Sequence, residues 1–259
     1  MEKYLREIHE NVTSWIHEIV PFVQKAVRNK LTINTKSSDF DIVTDVDKKV
    51  EQFFREKIHQ AYPSHGIIGE ESDNTNVKNS FDCLWVIDPI DGTTNFVKQK
   101  DHFCLLISFY EKHVGQLGYM YDVMNHDFYY AIRGHGAYLN EKRIEKPAPI
   151  RLREGLVSAD ILAWSQHRLF AELLDRSFGY RYFGCSGIDS IHVINGKFAA
   201  FVSTRSGPWD LAAQLIFAEE VGLKSSKFDG SPVNYTVGGD WILANEGCYE
   251  EIVELTKRF

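Results

Sequence analysis

The stretch Leu84-Trp85-Val86-Ile87-Asp88-Pro89-Ile90-Asp91-Gly92-Thr93-Thr94-Asn95-Phe96 constrains this chain more than any other. It opens as a short apolar run of the kind that suits a strand buried in a sheet. At Asp88 the run is expected to stop, because Pro89 removes a backbone donor and holds the residue before it extended. Asp91 then brings a second carboxylate back to the same place, with a turn rather than a continuing strand between the two. Gly92 lets the backbone approach a ligand with no Cβ in the way. Thr93 and Thr94 sit where a helical turn would open, so their free amides suit a phosphate. Two carboxylates suit a hard cation, and the amides beside them suit the phosphate that such a cation bridges. Asp, Pro and Gly are ordinary turn residues too. An acidic turn alone does not explain why two acids, a glycine and two threonines crowd in directly behind a buried strand.

At 259 residues the chain has room for one large domain or two small ones. Its 17 Phe, 12 Tyr and 5 Trp are ample for a sizeable core. The 36 acidic residues outnumber 29 basic ones, for a net charge of −7, and no basic block interrupts them. That balance argues against a nucleic-acid partner. A phosphorylated substrate approaching such a protein needs cations to bridge the repulsion. Cys83, Cys104, Cys185 and Cys248 are scattered with no Cys-x-x-Cys pair, which reads as reduced thiols rather than a disulfide frame or zinc site. Met1 to Glu7 lack the apolar run of a signal peptide, and no stretch approaches bilayer length. The expectation is a cytoplasmic protein with no membrane partner.

Along the chain, residues 2 to about 30 show helical spacing, with Pro21 placed to kink or divide the helix. A polar turn, Lys36 to Asp47, leads into a second helix near 46–60, which Thr44 or Asp45 would cap. Asp47 falls in its first turn, where a carboxylate favours the helix dipole. Gly66-Ile67-Ile68-Gly69 reads as a short strand delivering Glu70 and Glu71, so Glu70 is a third candidate carboxylate. The polar segment 72–82 reads as an exposed, mobile loop. Strands are expected at 103–110, 114–123 and 127–132, and Gly134-His135-Gly136-Ala137-Tyr138 reads as a turn between strands. The segment 146–150, with Pro147 and Pro149, marks a boundary between two sub-sheets. Beyond it strands near 155–160, 180–183, 198–203 and 241–245 alternate with helices near 167–177, 186–195, 210–221 and 248–258. Asp210 stands at the N-terminal turn of the third of those helices, beside Trp209. No His-x-x-x-His or Gly-x-Ser-x-Gly spacing is present, so zinc-protease and serine-esterase chemistry have no support.

Five motifs thus stand in one order: Lys36-Ser37-Ser38, Val43-Thr44-x-x-Asp47-x-x-x-Glu51, Gly69-Glu70-Glu71-Ser72, the string from Asp88 to Phe96, and Trp209-Asp210. In these the chain resembles the inositol monophosphatase family of metal-dependent, lithium-sensitive sugar phosphatases. The resemblance implies one α/β domain over residues 1–259, a layered α-β-α-β-α sandwich that is commonly a homodimer. It implies that Glu70, Asp88 and the carbonyl of Ile90 hold a first Mg²⁺, and that Asp88, Asp91 and Asp210 hold a second. A third ion would sit near Glu70, which counts among the catalytic residues. The amides of Gly92, Thr93 and Thr94 would take the phosphate. Asp47 and Thr93 would orient a metal-bound water for in-line attack. Asp91, Gly184, Ser186, Ser203 and Asp210 would face the alcohol that leaves.

Two other classes compete. A phosphoaspartyl phosphatase of the haloacid-dehalogenase type needs two acids separated by one residue, whereas two residues separate Asp88 and Asp91. A non-catalytic interaction protein on the same fold would be expected to have lost a ligand, yet Asp47, Glu70, Asp88, Asp91, Thr93 and Asp210 are all present. The substrate is where the pattern departs. In animal members of the family a Glu seven residues before the Asp of Trp-Asp accepts an inositol hydroxyl; here that position is Ser203, and no acid occupies 199–208. The smaller, neutral Ser predicts a relaxed phosphomonoesterase that hydrolyses inositol 1-phosphate. The alternatives on the same site are the 2′-phosphate of NADP(H), fructose 1,6-bisphosphate and 3′-phosphoadenosine 5′-phosphate. Finally, neutralising Asp91 or Asp210 should relieve like-charge repulsion, so that metal-free stability holds or rises.

Overall fold

The computed structural model describes residues 1–29, 33–35, 42–74, 77, 81–160 and 167–259. Its layers follow from the alternation along β4 (Cys83–Asp91). Trp85 and Ile87 point into a core shared with the apolar stripes of α1 (Lys3–Val27) and α2 (Asp45–Ala61). Leu84 and Val86 point the other way, into a core shared with α5 (Ser186–Ile194) and α6 (Ala212–Val221). A strand divides its side chains between two faces, so a sheet of such strands buries both under helices.

That sheet has seven strands, in the order β3 (Gly66–Gly69), β4, β5 (Cys104–Glu111), β6 (Val114–Asp122), β7 (Asp127–Ile132), β8 (Gly136–Leu139) and β9 (Lys142–Arg143). Only β3 and β4 pair in parallel; the others form an antiparallel meander. Residues 144–151 carry the chain to a second sheet. It runs β11 (Gly179–Tyr180), β10 (Leu156–Asp160), β12 (Ala200–Ser206), β14 (Gly239–Ala244) and β13 (Lys224–Ser226). Phe201, Trp241 and Leu243 face the layer of α5 and α6. Val157, Val202 and Ile242 face a third core with α4 (His167–Arg176) and α7 (Tyr249–Thr256). Helix, sheet, helix, sheet, helix is the layered α/β sandwich that the sequence leads one to expect.

Several local expectations change. β4 does not stop at Asp88. Asp88 lies opposite Leu106 and Asp91 opposite Cys104, so three steps on β4 answer two on β5, which is a β-bulge of one extra residue. Pro89 falls inside that bulge, where a missing donor does least harm to the ladder. Pro21 sits within an unbroken α1. The polar turn before α2 contains an antiparallel pair, β1 (Ile33–Thr35) with β2 (Ile42–Thr44), while Lys36 to Asp41 lie outside the described residues. Asp210 precedes its helix, in a turn closed by its amide on the Gly207 carbonyl at 3.2 Å. The segment expected to be loose after Glu71 is anchored at its start: Asn74 exchanges hydrogen bonds with both backbone groups of Gly69. Val77 packs on the middle core, and residues 75, 76 and 78–80 lie outside the described residues. Among the described residues no helix is long and apolar enough to cross a membrane.

Candidate active site

In a regular strand Asp88 and Asp91, an odd number of residues apart, would face opposite ways. The bulge brings them to one side, and the same shift lets Ile87 and Ile90 share the outer core. Asp210 arrives from the turn before α6, and one oxygen from each of the three carboxylates lies within 4.8 Å of the others. Glu70 follows β3, which is the parallel neighbour of β4, and meets Asp88. Burial, then Glu70, Asp91 and Asp210, push the Asp88 carboxyl well above the usual range. Burial, then Asp91 and Glu70, do the same to Asp210. Like charges held together away from water oppose one another's ionisation. A divalent cation relieves that opposition, and a donor set made only of oxygens fits Mg²⁺.

Asp91 sits differently. Its Oδ1 accepts the amide of Ser186 at 3.1 Å; its Oδ2 accepts the amide of Gly187 and the thiols of Cys185 at 3.1 Å and Cys104 at 3.6 Å. These donors lower its proton affinity, although burial keeps the carboxyl above its ordinary range. Asp91 therefore holds the first turn of α5, which joins the first sheet to the layer between the sheets. A Cβ at Gly187 would overlap the Cys104 sulfur, so no side chain is admitted there. Cys104 and Cys185, distant in sequence, place their sulfurs 3.7 Å apart and remain free thiols. Burial pushes both thiols up, so they act as donors to Asp91 rather than as thiolate ligands for a soft metal.

Asp47 divides its two oxygens between two duties. Its Oδ2 accepts the amide and hydroxyl of Thr44, completing the capping box of α2. Its Oδ1 accepts the Thr93 hydroxyl at 3.0 Å, and Thr93 also reaches the Ile90 carbonyl at 3.0 Å. Burial raises the Asp47 carboxyl, against the opposing pull of these bonds. Thr93 opens α3 (Thr93–Lys98) behind Gly92, whose φ of 87° belongs to the left-handed region where a side chain would be strained. Thr94 is exposed beside it.

The residues that hold this arrangement were not singled out from sequence. Glu51, one turn beyond Asp47 on α2, is buried and accepts from Arg55, from the Glu71 amide and from Ser72. It fastens the segment that carries Glu70, and its carboxylate fills the space a Cβ at Gly69 would need. Asn95 donates to the carbonyls of His102 at 2.9 Å and Phe183 at 2.7 Å, tying α3 to the approach to α5. The signal for both was their place inside the quoted motifs.

A cleft of about 110 Å³ opens beside Asp91 and Asp210. Gly184, Ser186 and Ser203 line it, as do Asp160, Tyr182 and Arg205, which sequence reasoning did not mark. The Ser186 hydroxyl donates to the Asp210 carbonyl at 2.5 Å, so Ser186 links the segments that carry two of the carboxylates. Ser203 is only 1% exposed, and its oxygen accepts from Ser206 at 2.9 Å and from the Arg205 amide at 3.3 Å. A larger cavity of about 380 Å³ beside Tyr110 and Tyr235 contains none of these groups.

The model of the inositol monophosphatase family matches residues 5–258. Inositol-1-monophosphatase of Bacillus subtilis (strain 168) is 32% identical over 253 residues, covering 96% of each chain. A protein named Nus factor SuhB from Pasteurella multocida (strain Pm70) is 33% identical over 233 residues, 87% of this chain and 86% of that one. A solved structure of an IMPase/NADP phosphatase complexed with Mg²⁺ and phosphate is similar with a TM-score of 0.92 and 34% identity, covering 98% of this chain and 96% of that one.

Proposed function

This chain belongs to the inositol monophosphatase family of Mg²⁺-dependent phosphatases, and we propose that it hydrolyses inositol 1-phosphate with relaxed specificity that extends to the 2′-phosphate of NADP(H). The observation that carries the reading is the convergence of Asp88, Asp91 and Asp210, drawn from both halves of the chain, beside the Thr93–Asp47 pair. Glu70, Asp88 and the Ile90 carbonyl would hold one Mg²⁺, and Asp88, Asp91 and Asp210 another. Bound there, the metal supplies Lewis acidity and offsets the charge on the phosphoryl oxygens. The amides of Gly92, Thr93 and Thr94 would seat the phosphate at the opening of α3. Thr93 Oγ1, held by Asp47, presents a lone pair to the attacking water and orients it. The proton released by that water passes toward Asp47 through the Thr93 hydroxyl, and burial makes Asp47 the better acceptor. The leaving alcohol would depart into the cleft lined by Gly184, Ser186 and Ser203.

The neutral Ser203 and the similarity to an IMPase/NADP phosphatase both favour the relaxed reading. Similarity to a protein named Nus factor does not displace catalysis, because every carboxylate of the constellation is present. Lithium inhibition and a homodimer belong to the same proposal. The test is phosphate release from inositol 1-phosphate, NADP, fructose 1,6-bisphosphate and 3′-phosphoadenosine 5′-phosphate, with Mg²⁺, with EDTA and with added Li⁺. Release from the first two that depends on Mg²⁺ is expected. Activity undiminished by excess EDTA would defeat the reading.

A further inference from the structure

We propose that Asp160 and Arg205 select the alcohol that this phosphatase releases: Asp160 accepts a hydroxyl beside the scissile ester, and Arg205 pairs with a second anionic group on the same leaving group. The inference rests on the site reading above and sharpens it to a substrate class, a phosphorylated ribose or polyol that carries a further phosphate or diphosphate.

Asp160 is the last residue of β10, and in the parallel pairing of β10 with β12 it stands opposite Ser203. The carboxyl ends of such strands open onto the crevice where ligands bind. Asp160 shares its cleft with Asp91 and Asp210, yet it is not one of the three clustered carboxylates. Its Oδ1 is closed to solvent and has no hydrogen-bond partner among the described residues. A buried carboxylate oxygen without a donor is costly, so the site lacks a donor that a ligand hydroxyl would bring. Burial pushes the Asp160 carboxyl up; the Tyr182 hydroxyl and the Arg205 guanidinium favour its charged form, and the Asp91 and Asp210 carboxylates oppose it. Ser203 does not compete as the acceptor, because its oxygen already receives Ser206 and the Arg205 amide.

Arg205 lies exposed on the rim of the same cleft and makes no ion pair among the described residues. A guanidinium with no close ion-pair partner among the described residues, at the mouth of an acidic cleft, attracts anions, and its planar fork suits two oxygens of a phosphate. The cleft thus presents an acceptor at depth and a cation at its mouth. Inositol 1-phosphate satisfies the first alone; NADP, whose ribose hydroxyls and diphosphate lie beyond the 2′-ester, satisfies both.

The experiment compares Asp160→Ala, Asp160→Asn and Arg205→Ala with the wild type, each checked for an unchanged melting curve. kcat/KM is measured for 4-nitrophenyl phosphate, inositol 1-phosphate and NADP with Mg²⁺, and NADP affinity is measured by calorimetry with Ca²⁺ in its place. Asp160→Ala should lower the ratio of inositol 1-phosphate to 4-nitrophenyl phosphate by about tenfold or more, and Asp160→Asn, which keeps an acceptor oxygen, by less. Arg205→Ala should lower the ratio of NADP to inositol 1-phosphate by about tenfold and weaken NADP binding with Ca²⁺ to match. Ratios and affinities within about twofold of wild type in all three variants would overturn the assignment. A wild type that releases phosphate from none of the three would defeat the phosphatase reading, while the calorimetric comparison would still decide the role of Arg205.

Discussion

Each of the two large sheets carries a bulge at the cleft, and the two bulges are built alike. Asp88 and Asp91 on β4 answer Leu106 and Cys104; Ser203 and Ser206 on β12 answer Trp241 and Gly239. In both, three steps on one strand meet two on its antiparallel neighbour, and side chains that would diverge come to one face. On β4 the paired groups are carboxylates that repel. On β12 they are hydroxyls 2.9 Å apart, and the Trp241 indole donates to the second. The first bulge is incomplete without a cation; the second satisfies itself. On the proposed reading chemistry is concentrated at the first, and the released alcohol would be recognised by what surrounds the second.

The largest effect should follow from breaking the charged bulge. Asp210→Asn leaves two carboxylates where three converge, and it should lower kcat/KM at saturating Mg²⁺ by about a thousandfold or more. A variant with near wild-type turnover would show that Asp210 is not a ligand, and the two bulges would then not differ in kind.

Metal-free stability sharpens the contrast within the charged bulge. Asp88 accepts the Ile90 amide and meets the Glu70 carboxyl, and the Asp210 carboxylate accepts the Gly207 amide at 2.6 Å. An Asn oxygen can keep either bond while a charge leaves the cluster, so Asp88→Asn and Asp210→Asn should melt at or above the wild type without metal. Asp91 has donors on both oxygens, and the amide nitrogen of Asn would face one of them. The gain expected from sequence for neutralising Asp91 is therefore reversed. Asp91→Asn should cost about 2–4 kcal/mol, read from urea melts in EDTA. Equal stability of all three variants would mean that the donors around Asp91 contribute nothing.

The charged bulge was the more legible in sequence because its residues are contiguous: Asp88, Pro89, Ile90 and Asp91 sit together behind an apolar run. Even so, proline and aspartate read as a stop and a turn. Whether a strand ends or bulges there depends on the register of β5, which local sequence does not state. Asp47 read locally as a cap, and by resemblance as a catalytic group; the fold gives one oxygen to the cap and the other to the Thr93 hydroxyl. Asp160 carried no signal at all. It is a lone acid at the end of a short strand, and its meaning comes from standing opposite Ser203 across a parallel pairing. The Cys104–Cys185 contact, 81 residues apart, was hidden for the same reason.

A buried acid that belongs to neither bulge tests whether burial alone explains the acidic cluster. Asp189, in the first turn of α5, accepts the Ser158 hydroxyl at 2.6 Å and the Phe183 amide, and burial pushes its carboxyl up to about 7. Its folded value lies above the ordinary 3.8, so the folded state holds the proton more tightly. The stability that follows is fully present below about pH 4 and is lost as pH rises toward about 7 and beyond. Asp189→Asn stays neutral throughout, so it should remove on the order of 2 kcal/mol of the decline between about pH 5 and 7. Parallel curves for wild type and variant would show that Asp189 is ionised throughout that range.

The smallest effect should come from putting a charge on the neutral bulge. Ser203→Glu introduces the acid that animal relatives carry, but it enters a position only 1% exposed and faces Asp160 across the strand pair. Two carboxylates at that spacing repel, which offsets part of any new bond to an inositol hydroxyl. If Asp160 already accepts that hydroxyl, the single variant should raise the preference for inositol 1-phosphate over NADP by no more than about threefold. With Asp160→Asn in the same chain the repulsion is gone and the introduced glutamate becomes the charged acceptor, so the preference should rise by about tenfold. The order of the two results matters more than their size. A larger shift in the single variant than in the double one would place the hydroxyl acceptor at the neutral bulge itself and not at Asp160. No shift in either would mean that the Ser203–Ser206 bulge does not face the alcohol, and the likeness between the two bulges would then be one of backbone alone.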